Sequence, residues 1–169
     1  MTILQIIIVT LLYGFALVAA VYFTRPTLRR AMGALIGGAI VGVFGMGAIF
    51  FGNTFGLWQV PISWTPIFLS LFYLGLAISV APIYLVTWRI ARRFGWRGLA
   101  VFIGVVTIIG PPRDYMYATM FPEWMVFAPG VVPVLADAAA YFGIVAIGHA
   151  VMRLIAGPAS EDPLARPTT

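Results

Sequence analysis

The sequence predicts an all-α integral membrane protein, a bundle of five transmembrane helices, and three observations carry that reading. Hydrophobic residues make up 62% of the 169-residue chain and charged residues 9%, whereas a soluble domain is roughly 45–50% apolar. Several uncharged runs reach about twenty residues, the length a helix needs to cross about 30 Å of hydrocarbon. The charges that do occur fall mostly in short stretches between those runs. Spans are expected at about residues 3–23, 31–51, 66–88, 98–118 and 132–152, forming one domain over 1–156. The polar, proline-rich remainder, 157–169, has the composition of a disordered cytoplasmic tail.

The first span lacks a basic residue before it and is followed by Arg25, Arg29 and Arg30. A secretory signal peptide carries its positive charge first, so this order favours an uncleaved helix with its N-terminus outside. The second span holds overlapping small-xxx-small pairs, Gly33/Gly37 and Gly38/Gly42. Such glycines let two helix backbones approach closely in lipid. They serve either packing within the chain or a homo- or hetero-oligomer contact.

An uncharged loop with Trp58 and Trp64 follows, suited to the headgroup level. The third span ends in the densest positive cluster, Arg89, Arg92, Arg93 and Arg97. With Arg25, Arg29, Arg30, Arg153 and Arg166, nine of the ten cations fall on one side, which the positive-inside rule makes cytoplasmic. The chain is then expected in a bacterial inner membrane, with the C-terminus inside. A net charge of +5 placed in such loops sets topology and does not call for nucleic acid.

The fourth span meets Pro111 and Pro112. Proline removes a backbone donor and clashes with the preceding turn, so a kink or break is expected there. Arg113, Asp114, Tyr115 and Tyr117 would then stand within the outer leaflet, facing a cavity. The fifth span begins after Pro129 and Gly130 and carries Asp137 and Tyr141 four residues apart, on one helix face.

The stretch from Gly110 to Asp137 holds Asp114, Glu123 and Asp137, three of the five acidic residues. Charge between long apolar runs is costly and marks a functional site. Two carboxyls in unequal surroundings are a recurring basis for acid and base roles. Asp137 is read as the acid, Asp114 as base or charge stabiliser, and Arg113 as organiser, paired with Asp114 or with Asp137. Tyr115, Tyr117, Tyr141, Trp124 and Glu123 are read as substrate-binding. A structural ion-pair network is the plainer alternative, as is an exposed interfacial role for Glu123. His149 suits the end of its helix.

Zero cysteines remove disulfides and thiolate metal sites. A lone histidine cannot build a histidine-rich centre. No phosphate-cradling loop, dinucleotide fingerprint or nucleophile elbow is present, so no metal or cofactor is expected. The function expected is acid–base chemistry, such as cyclisation, isomerisation or epoxide opening, on a lipophilic, isoprenoid-like small molecule taken from the lipid bilayer. A non-catalytic subunit of a larger membrane complex and a small proton-coupled transporter are the alternatives.

Overall fold

A computed structural model describes residues 2–161. Among the described residues the fold is all-helical, 83% helix, and four helices are long and apolar enough to cross a membrane. They are α1 (Ile3–Thr24), α2 (Leu28–Thr54), α3 (Pro66–Met120) and α4 (Val131–Ala156). Two short strands, β1 (Trp58–Gln59) and β2 (Val126–Phe127), lie in the loops before and after α3. The helices run a few residues past the apolar stretches because capping, not hydropathy, sets their ends. Thr2 and Gln5 form a capping box at α1, and the Thr27 hydroxyl accepts from the Arg30 N–H at the start of α2.

At 55 residues α3 would be about 80 Å long if straight, far more than one crossing needs. It is divided at Gly95, whose backbone (φ 66°, ψ −160°) is not helical and suits a residue without a Cβ. The chain bends sharply there: a Cβ on Gly98 would lie 3.3 Å from the Ile90 side chain, although eight residues of straight helix would separate them by about 12 Å. By contrast, the break expected at Pro111–Pro112 is absent, and helical geometry runs through Pro82, Pro111 and Pro112. The prolines remove hydrogen bonds without ending the helix, as happens where neighbouring helices support the backbone.

The core lies between α2, α3 and α4, around Ala34, Val41, Tyr84, Leu85, Trp88 and Met152. The glycines of α2 are taken up within it. Gly33 packs on Met152, Gly37 on the Gly148 backbone and the Tyr84 ring, Gly38 on the Ala77 carbonyl, and Gly42 on Tyr73 and Ala77. A partner docking through these four would have to displace the chain's own contacts. Tyr73 and Tyr84 donate to the backbone carbonyls of Ala39 and Ile144, each at 3.0 Å, pinning α3 to both neighbours. Large apolar side chains point outward, including Phe15, Leu28 and Leu154, all at least 80% exposed. Lipid, and not water, is the solvent such a surface fits.

The ends of the helices sort into two groups. At one, β1 pairs antiparallel with β2, tying the loop after α2 to the loop before α4. The Asn53 amide both accepts from the Val60 N–H (2.8 Å) and donates to its carbonyl (3.1 Å), fixing the first of those loops. At the other, Arg30 is 3% exposed, lies over the Trp88 ring, and donates to the carbonyls of Gly157 and Pro158. It is therefore a buried cap for α4, not a free loop charge. The tail expected from residue 157 opens with a 3-10 turn, Ala159–Glu161, and Ala159 packs on the core. Residues 162–169, and Arg166 with them, lie outside the described residues.

Candidate functional site

Asp114 stands six residues before the end of α3 at Met120, and Asp137 six residues after the start of α4 at Val131. At about 1.5 Å per residue both carboxyls lie about 9 Å in from the same end, at one depth. The two segments meet closely because Gly110 has no side chain: a Cβ there would fall inside the Tyr141 ring.

That approach builds a three-residue network. Asp114 Oδ1 accepts from Arg113 Nε (3.0 Å) and Nη2 (2.8 Å), and its Oδ2 accepts from the Tyr141 hydroxyl (2.7 Å). Arg113 Nη2 also donates to the Tyr141 oxygen. The guanidinium lies 5.3 Å from the Tyr141 ring centre and 5.8 Å from that of Tyr117. Arg113 thus pairs with its chain neighbour. Successive helical residues do not normally face each other, but the arginine is long enough to curl back, and Tyr141 holds the carboxylate from the opposite helix.

Asp137 has the opposite environment. It is 6% exposed, and its Oδ2 is buried with no hydrogen-bond partner. Asp114, Arg113 and Tyr115 lie within electrostatic range of it. The Tyr115 hydroxyl is likewise buried and unpartnered, while its ring stacks on Phe127 of β2 at 4.0 Å. Each such orphaned group costs about 1–3 kcal/mol and is relieved by any ligand that supplies a partner. Trp124 stacks on Phe121, its indole N–H also buried and unpartnered. Tyr117 is 47% exposed, and Glu123 is exposed on the turn after α3.

The residues expected at the site therefore sort into three sets. Arg113, Asp114 and Tyr141 are in direct contact, with Tyr117 beside them. Asp137, buried, and Tyr115, half-buried, each keep an unpartnered oxygen. Trp124 and Glu123 belong to the loop above. A hollow of about 480 Å³ lies at the loops, lined by Asn53, Gln59, Val60 and Pro122 among others. Arg113 is 45% exposed, so the network is open on one side.

Three features were not foreseen. α1 brings Tyr13 within electrostatic range of Arg113, and nothing in its local sequence signals this. His149 is buried and bonds Thr87 through Nδ1 at 2.9 Å, so it joins α4 to α3 and does not simply cap a helix end. Phe127 reaches Tyr115 only through a two-residue strand, too short to leave a pattern. Among the described residues no group of three or more His, Asp or Glu could hold a metal ion. Fold and surface define a membrane-embedded helical protein with a charged site between two of its helices. No protein-family model, curated protein or solved structure matches the chain.

Proposed function

We propose that this chain crosses a bacterial inner membrane five times, N-terminus outside and C-terminus in the cytoplasm, and performs acid–base chemistry on a lipophilic, isoprenoid-like molecule drawn from the outer leaflet. Five crossings are supported by the sharp bend at Gly95, read as a reversal: residues 66–94 and 96–120 are about 43 and 37 Å long as helices, each sufficient alone. The orientation is supported by arginine placement, with Arg25, Arg29, Arg89, Arg92, Arg93, Arg97 and Arg153 all near the end opposite the β1–β2 pair.

The observation that carries the chemical reading is the inequality of two carboxyls at one depth. Asp114 accepts three hydrogen bonds, which hold it where it can stabilise developing positive charge or take up a proton. Asp137 keeps a bare oxygen in a buried place, the position for a group that delivers a proton to an alkene or epoxide. Arg113 and Tyr141 hold Asp114 in place, and Tyr115 offers a hydroxyl to an oxygen-bearing substrate. Docking as a non-catalytic subunit draws no support from the α2 glycines, which are filled from within.

The test is mass spectrometry of what the gently purified protein retains, followed by conversion of that molecule in reconstituted membranes. Wild type is expected to retain one lipophilic species and convert it. Asp137→Asn should retain it with conversion reduced at least about 100-fold, the usual scale of general acid catalysis. If Asp137→Asn and Asp114→Asn both convert at the wild-type rate, the acid–base assignment is wrong.

A further inference from the structure

The opposite end of the bundle carries a feature that the carboxyl site does not use. Beside the reversal at Gly95 lies a hollow of about 590 Å³, whose lining includes Ile90, Phe94, Arg97, Gly98, Val101 and Val105. Gly98, Val101 and Val105 follow one face of the second half of α3, giving an apolar track about 10 Å long. Arg97 is the charged residue of the lining, placed at the end of the track nearest the reversal.

The surroundings match an interface. Phe94 and Trp96 are 60% and 74% exposed, and the Arg93 and Arg97 guanidinium groups lie over these rings at 5.2 and 5.8 Å. Arg89, Arg92, Arg93 and Arg97 fall within nine residues, while Asp114, Glu123 and Asp137 are at the far end. The groove thus joins an apolar wall to a concentration of positive charge.

We propose that this groove binds one anionic phospholipid, with an acyl chain along Gly98, Val101 and Val105 and the phosphate against Arg97, with Arg93 beside it. Arginine bonds phosphate oxygens through charge-assisted, often bidentate contacts, and basic pockets between helices at the membrane surface are suited to acidic headgroups. A free phosphate would engage only the mouth and leave the apolar wall unused, so the occupant is the lipid. The inference is independent of the chemistry at Asp114 and Asp137.

The test is native mass spectrometry of the full chain in non-ionic detergent, titrated with phosphatidylglycerol, phosphatidylcholine of the same chains, or glycerol phosphate. Phosphatidylglycerol should be retained about tenfold better than phosphatidylcholine, and glycerol phosphate should not be retained. Arg97→Gln should weaken phosphatidylglycerol about tenfold with Arg97→Lys recovering part of the loss, and Val101→Trp should weaken both lipids by filling the track. Leu154→Trp, on an exposed apolar position elsewhere, should change nothing. Equal retention of the two lipids, glycerol phosphate binding as well as lipid, wild-type retention by both Arg97→Gln and Val101→Trp, or an equal loss with Leu154→Trp would each overturn the proposal.

Discussion

Tyr84, Trp58 and Tyr141 each lie against a glycine that admits nothing larger: Gly148, Gly52 and Gly110. In lipid, where helices gain little from excluding water, this ring-against-backbone contact supplies the dispersion energy that holds them together. Gly148→Ala should therefore destabilise the protein by about 1–3 kcal/mol through overpacking, while Gly47→Ala, with open space around it, should leave stability unchanged or slightly raised. Thermal denaturation of the two variants in detergent separates these outcomes. The sequence could flag the α2 glycines as a close-packing stripe, but not which element would fill them. Arg30 shows the same limit: its position after an apolar span resembled any other topology-setting arginine, and only the Trp88 ring and the α4 carbonyls reveal it as a buried cap.

Apolar run length made the helices legible but left their joins uncertain. Gly95 was hidden among arginines in a stretch that looked like a loop, whereas helical geometry holds almost through it and is interrupted at that one residue. Pro111 and Pro112 carried the stronger breaking signal, yet α3 continues past them. Local propensity is a weak guide where no water competes for the freed backbone groups. Gly95→Ala places a Cβ at φ +66° and should cost about 1–2 kcal/mol, read as a lower melting temperature. From the last turn of α2, Asn53 fixes the loop before α3 by bonding both backbone groups of Val60. Asn53→Ala should leave the helical content unchanged by circular dichroism but speed proteolysis within residues 55–65 several-fold.

Across the whole molecule, charge is divided between two ends, and the candidate site depends on that division. The residue types at the site were legible because acidic side chains are scarce in this chain: Arg113, Asp114 and Asp137 stood out at once. Their pairing was not, since it depends on Gly110 letting Tyr141 approach, a contact between residues 31 positions apart in sequence. Asp114 and Asp137 flank the one loop between α3 and α4 and so share a depth; if α3 folds back at Gly95, the loops after α2 and after α3 face the same compartment, and that depth lies in the outer leaflet. The absence of native cysteine allows this to be read directly. Single cysteines at Ser63, Pro122 and Trp96 should divide two against one with a membrane-impermeant maleimide on intact cells: positions 63 and 122 label from outside, and position 96 labels only after the membrane is opened. Labelling of positions 63 and 122 from opposite sides would contradict the fold-back at Gly95 and with it the five crossings.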